Sequence, residues 1–310
     1  MGKTLHILNG DSLLEGVTTL QLDGDVLVWR EMLCAGPVCG EVGGERFFER
    51  RSQFLSSRYE ISQQSYQDAF VTELNKVESL SDYASINLWF EYDLFCHINL
   101  LGALAWVTQH NFSGSTYHIC SGRVKGAQKL MGLSELSQEQ LLHHFQNKKQ
   151  LSPEDMESAY ELWQLYCSED HNAIIPKITN STSFDYLTNC LKSHIERFPN
   201  RKTGLNVLET HILKLLNKHT IKSEHQLCGY VLDQQGYYGY GDMQILKSIS
   251  NLRPFFAGEN GSLKLNETGI KVLNNEVNVF EQIANGLEFG GARKYDWLYD
   301  TDTNQLVKSK

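Results

Sequence analysis

No apolar run in these 310 residues is long enough to cross a bilayer. The nearest stretch, Leu94 to Val107, follows Asp93 directly and is interrupted by His97 and Asn99. No signal peptide is expected, because the first apolar residues run straight into Asn9-Gly10-Asp11-Ser12 with no small-residue cleavage site. The seven cysteines are odd in number and scattered, and none forms a Cys-x-x-Cys pair. Positive charge is in deficit. Lys and Arg number 28 against 37 Asp and Glu, leaving a net charge of −9 and no global pull towards nucleic acid or anionic membranes. A locally basic face stays open. Catalytic signatures are equally scarce, with no Gly-x-x-x-x-Gly-Lys, no His-Glu-x-x-His and no strand-borne Gly-x-Gly-x-x-Gly. Gly236-x-x-Gly239-x-Gly241 follows a predicted helix and reads as a flexible turn; His143-His144 reads as a solvated helix face, so no metal site is expected. These absences predict a reduced, soluble, cytoplasmic chain with no membrane partner.

What is present is ample material for a core: 41% of residues are hydrophobic and 11% aromatic, and the length favours two domains. Four β-type runs are predicted in the first 120 residues, at Thr4–Leu8, Asp25–Trp29, Ile86–Phe90 and Thr116–Cys120. Helical patterns lie between them, over Glu45 to Tyr59 and Ser65 to Val77, and in a long apolar helix from Leu94 capped by Asp93. Strand, polar turn and helix in repetition predict an α/β domain whose open sheet is mainly parallel, with flanking helices. Cys34, Cys96 and Cys120 sit in apolar stretches and read as small hydrophobes.

Two capped helices follow, one opening with Ser137-x-x-Gln140 and one with Ser152-Pro153. A further segment over Phe184 to Ile195 runs into Phe198-Pro199-Asn200-Arg201-Lys202-Thr203-Gly204, the best boundary candidate. Beyond it come a helix through Leu205 to Leu216, one from Ser223, and a third capped by Asp242. A hairpin with the turn Gly258-Glu259-Asn260-Gly261 closes the series. Three helices and a two-stranded wing are the order of a winged-helix domain. The predicted organisation is an α/β domain over 1–133, a helical connector over 134–200, and a smaller, mostly helical winged-helix-like domain over 201–310.

Each predicted strand ends in hydrogen-bonding or charged residues. The first gives Asn9, Gly10, Asp11 and Ser12, the second Arg30 and Glu31, the third Glu91 and Asp93, and the fourth Ser121 and Arg123. Ligands of open α/β sheets bind outside the carboxyl ends of the strands. Parallel neighbours would bring these side chains to one crevice, with Asp11 and Glu91 as acid/base or cation-holding groups, Arg30 as an anion clamp and Ser12 as a donor. Helix capping alone would also account for Asp11, Ser12 or Asp93. Gly10-Asp11-Ser12-Leu13 matches the nucleophile block of the Gly-Asp-Ser-Leu hydrolases, with Ser12 as nucleophile. The other blocks of that group, Gly-x-Asn-Asp and a late Asp-x-x-His, do not occur.

His6-Ile7-Leu8-Asn9-Gly10-Asp11-Ser12, Val28-Trp29-Arg30-Glu31 with Gly36-Pro37, and Trp89-Phe90-Glu91-Tyr92-Asp93-Leu94-Phe95 together resemble the domain of unknown function 1835 family. Gly241-Asp242-x-Gln244-Ile245, Leu265-x-x-x-Gly269, Gly290-Gly291 and Trp297-x-Tyr299-Asp300 resemble the tail of such proteins. The resemblance implies a shared α/β domain with polar positions at Asp11, Arg30, Glu31, Glu91 and Asp93, and no particular activity or cofactor.

Three functions fit these observations. The first is a crevice for a polar small molecule, phosphorylated or nucleotide-like, serving catalysis or sensing. The second is transcription regulation, with nucleic acid held by 201–275 and read by Gln244, Lys247 and Ser248. The third is an interaction surface built on Tyr237, Tyr238 and Tyr240, which could equally pack beneath the winged helix.

Overall fold

The computed structural model describes residues 2–179, 183–259 and 262–309. The four apolar runs become β1 (Lys3–Leu8), β2 (Asp25–Val28), β3 (Tyr83–Trp89) and β4 (Ser115–Ile119), all parallel, in the order β2-β1-β3-β4. A two-residue strand, β5 (Lys149–Gln150), closes one edge antiparallel to β4. Leu5, His6, Ile7 and Leu8 of β1 are all buried, as a strand covered on both faces requires. Leu8 pairs with Val28 on one side and Trp89 on the other, so three strands end level. The chain leaves β1 first to one side and later to the other. The topological switch point therefore falls between the carboxyl ends of β1 and β3.

Helix α1 (Glu45–Tyr59) matches its predicted span, and α2 (Leu94–Gln109) starts where Asp93 Oδ1 accepts the Cys96 N–H at 2.8 Å. Nearly every residue of α2 is buried, which its all-round apolar pattern demands. The predicted helix over Ser65 to Val77 is broken up: a helical turn at Gln63–Tyr66 passes through a π-turn at Gln67–Val71 to Thr72–Leu74. Helix α3 (Pro153–Tyr166) carries the expected Ser152 cap, with Asp155 reaching back to the Ser152 N–H. Helix α4 (Leu187–Ile195) is shorter than its predicted span.

The loop after β2 is buried and irregular, so its carbonyls need side-chain donors. They have them in unbroken series. The carbonyl of Glu31 accepts from Asn99, Met32 from Arg51, Leu33 from Tyr166, Cys34 from Arg197 and Ala35 from Arg51. Pro37 O takes a further Arg51 bond. Arg51 is fully buried and paired with Glu31 at 2.8 Å, while Tyr66 Oη donates to the same carboxylate at 2.7 Å. Glu31 thus points into the protein, away from the strand-end crevice in which it was expected.

The C-terminal part has the predicted order: α5 (Val207–Lys218), α6 (Glu224–Gln234), α7 (Asp242–Asn251), then β6 (Phe256–Glu259) antiparallel to β7 (Ser262–Leu265). Asn260 and Gly261 of the predicted turn lie outside the described residues. Asp242 is the first helical residue rather than the cap. Gly241 occupies the cap position, and Gln244 accepts its N–H. A strand from the tail, Glu288–Gly290, returns to pair parallel with Gly36–Pro37. Gly290, at φ 63°, is required there because a Cβ would lie 2.0 Å from Tyr166 O. One contiguous apolar cluster runs from Leu5 and Ile86 through Leu191 to Leu216 and Ile245.

Candidate functional site

The strand ends bring only part of the expected set together. Asn9, directly after β1, donates from Nδ2 to Cys96 Sγ at 2.9 Å and accepts from Asn99 Nδ2 at 2.8 Å. Asn99 also binds Glu31 O and the Leu33 N–H, so this buried amide ties two strand exits to α2. The sequence suggests a small hydrophobe at Cys96 and, at Asn99, only a break in the apolar run. The available signal was the polar break in an otherwise apolar helix, since a fully buried amide must find partners.

Asp11 and Ser12 are exposed and cap nothing; Gly10 is the cap, at φ 86°, without a side-chain bond. The Asp11 carboxylate is held by Arg30, with Nη2 at 2.7 Å and Nε at 2.9 Å, and these hydrogen bonds keep its pKa below the usual range. Arg30 also reaches Ala69 O and Glu73, so the expected anion clamp is already engaged. No histidine is hydrogen-bonded to Ser12 among the described residues, which leaves the Gly-Asp-Ser-Leu block without its base.

Glu91, Asp93 and Cys96 form the core of the site, each offering a ligand atom within 4.8 Å of the others. They could hold a metal ion. Neither acid has a cationic partner among the described residues. Burial, reinforced by the charge of Asp93, pushes the Glu91 carboxyl up to about 7, although the Ser134 and Leu133 N–H groups pull it down. Burial raises Asp93 as well, against the Cys96 contacts that lower it. Glu91 Oε1 lies 3.3 Å from the Ser134 N–H. Ser121 follows the end of β4, whose last residue Ile119 pairs with Trp89, two residues before Glu91. The Ser121 Oγ is buried without a hydrogen-bond partner. Arg123 is exposed, and its backbone N–H donates to Tyr186 Oη.

The aromatic loop of the C-terminal part covers this cluster. Tyr237 O and Tyr238 O accept the Leu94 and Phe95 N–H groups at 2.7 and 3.2 Å. Gly239, at φ 66°, lies against Asp93, where a Cβ would approach Cγ to 2.1 Å. Tyr237 packs on Tyr92 and Tyr186. Of the three tyrosines, Tyr237 is thus turned onto the α/β part, whereas Tyr238 is buried and lines a pocket with Leu208 and Val272 of the C-terminal part, the inward packing that the sequence also allowed. The first N–H groups of α2 are consumed, leaving none for an anion.

The third helix of the C-terminal part also faces inward. Gln244 of α7 is buried, and Lys247 and Ser248 line an interior pocket shared with Arg58 and Tyr59 of α1.

No family model matches the chain, and no curated protein matches it. Among solved structures it is similar to the DNA-binding, cleavage and re-ligation domain of Plasmodium falciparum topoisomerase II. Identity is 14%, the TM-score is 0.45, and the match covers 84% of this chain and 43% of that one. This is a remote likeness, and the chain spans less than half of that structure. No helix among the described residues is long and apolar enough to cross a membrane.

Proposed function

We propose that the chain binds a small polar ligand at the switch point between β1 and β3, with Glu91 as the group that exchanges a proton with it. The observation that carries this reading is the pairing of Glu91 with Asp93 under the aromatic loop, without a counter-cation among the described residues. Two acids, a thiol and the Asn9 amide suit a cationic or donor-rich ligand such as an amine, or a divalent cation. Arg30, the cation expected to clamp a phosphorylated ligand, is spent on Asp11. A carboxyl titrating near 7 is suited to proton transfer at neutral pH. The resemblance to the domain of unknown function 1835 family belongs to this reading, since Asp11, Arg30, Glu91 and Asp93 gather at one end of the sheet.

A thermal-shift screen of amines, amidines, nucleobases, phosphorylated metabolites and divalent cations tests it. A ligand at about 100 times its dissociation constant adds roughly 2.7 kcal/mol, which is several degrees for a chain of this size. The expected result is a shift from a donor-rich compound or a cation, lost in Glu91→Gln. Shifts confined to phosphorylated compounds and unaltered by that substitution would remove the reading.

A second reading is nucleic-acid contact through 201–275. That segment holds nine Lys or Arg against six Asp or Glu in a chain of net charge −9. Lys214, Lys218 and Lys222 are exposed and have no ion pair among the described residues. Contact would run along α5 rather than α7, whose polar side faces the α/β part. Duplex DNA titrated at low salt should be retarded, with a several-fold loss for Lys214→Glu/Lys218→Glu, since phosphate contacts dominate there. Unretarded DNA at about 50 mM salt or below counts decisively against this reading.

A further inference from the structure

The interior pocket between the two parts of the chain is positively charged and lacks its counter-charge. It is a cavity of about 50 Å³ lined by Arg58 and Tyr59 of α1, Arg197 just past α4, Gln244, Lys247 and Ser248 of α7, and Lys294 of the tail. Glu209 is its one carboxylate, and it is already engaged by Lys294 at 2.5 Å and by the Asn206 N–H.

Arg197 is 1% exposed, yet no carboxylate lies within ion-pair distance among the described residues. Its Nη1 donates to Cys34 O and to Tyr240 Oη at 3.2 Å, its Nη2 donates to His194 Nδ1, and its guanidinium sits 4.0 Å from the Phe289 ring centroid. The histidines behind it add no negative charge. His194 Nε2 must donate to His171 Nδ1 at 2.8 Å, and His171 Nε2 to Tyr166 O at 3.0 Å, so both rings are neutral donor–acceptor links. The Arg197 Nε–H is buried without an acceptor, and so is that of Arg58. Arg58 and Lys247 have no ion pair at all among the described residues. An arginine keeps its charge at any ordinary pH, and a buried charge without a partner costs several kcal/mol. Neutral hydrogen bonds and an aromatic face offset part of that and leave the net charge in place.

We propose that this pocket is a binding site for a tetrahedral oxyanion of the phosphate class, seated between Arg58, Arg197 and Lys247. The volume admits a few water-sized groups, enough for a phosphoryl headgroup and too little for a nucleotide. Guanidinium forks match the oxygens of such an anion. The site draws on α1, Arg197 just past α4, α7 and the tail, so its occupation would fasten the winged-helix-like part to the α/β part. It is independent of the strand-end reading, which concerns the opposite charge.

The test is calorimetric titration of the full chain with inorganic phosphate and with methyl phosphate, at constant ionic strength set by chloride. Both anions are expected to bind, and Arg58→Met and Lys247→Met should each weaken binding at least about tenfold, the loss of one charge-assisted contact. These two side chains are only partly buried, so the variants keep the fold where Arg197→Met could lose it. Lys125→Met, an exposed lysine elsewhere, should change nothing. Equal affinities would assign the site to the free ion, and tighter binding of the ester to the headgroup of a larger molecule. No heat from either anion, or equal affinity in the Arg58 and Lys247 variants, overturns the proposal. Loss of phosphate binding in Glu91→Gln does so too, by moving the anion to the strand ends.

Discussion

Arg51→Met should destabilise the folded chain by about 3–5 kcal/mol, because it leaves Glu31 as a buried charge with no cation to balance it. The side chains of both residues are fully buried, and the guanidinium meets the carboxylate through Nε at 3.1 Å and Nη2 at 2.8 Å. Arg51 also holds the carbonyls of Met32, Ala35 and Pro37, so its removal frees half of the carbonyls that shape the loop after β2. Arg51→Lys should recover little, since one ammonium cannot fork to a carboxylate and span three carbonyls. Replacing both members, Glu31→Leu with Arg51→Met, removes the stranded charge and should return the protein to within about 2 kcal/mol of the parent. Urea midpoints for the four proteins decide it. An Arg51→Met midpoint equal to that of an exposed substitution would show that the pair contributes nothing.

The role of this pair bears on what could be read from the sequence. The alternation of strand and helix, the buried character of α2 and the caps at Asp93, Ser137, Ser152 and Ser223 are local, and each was legible from spacing alone. The strand pattern assigns Arg30 and Glu31 to one crevice, although consecutive residues of an extended chain point to opposite sides. The structure obeys that rule: Arg30 turns out to Asp11, and Glu31 turns in to Arg51. Glu91 and Asp93, two apart, share a side and meet. The capping role expected for Asp11 failed for a different reason. Its carboxylate is won by a guanidinium nineteen positions away, a competition that no local pattern records. Tertiary packing likewise decided which way α7 and the tyrosine loop would turn. An amphipathic helix announces that one face is covered, never which element covers it.

The second large effect is a pH dependence. The folded chain holds the Glu91 proton up to about pH 7, whereas an unfolded glutamate releases it near 4.5. The folded state therefore binds more protons than the unfolded state between those values. Stability contributed by this group is fully present below about 4.5, declines as pH rises, and is gone above about 7. Each tenfold change in proton affinity corresponds to about 1.4 kcal/mol, so the full swing is roughly 3 kcal/mol as an upper figure, reduced by the solvent contact that Glu91 keeps. Glu91→Gln keeps the size and the acceptor for Ser134 while removing the titration. Its stability should match the parent near pH 4, exceed it increasingly between about pH 4.5 and 7, and stay above it by a constant amount at higher pH. Asp93 is also raised by burial and persists in both proteins, so the informative quantity is the difference between the two curves. Two parallel curves would mean that Glu91 titrates like a solvated acid, and the proton-exchanging role at the switch point would fall with it. A difference that grows with pH, and is abolished by a saturating amine or divalent cation, would tie the strain of the paired acids to the ligand that relieves it.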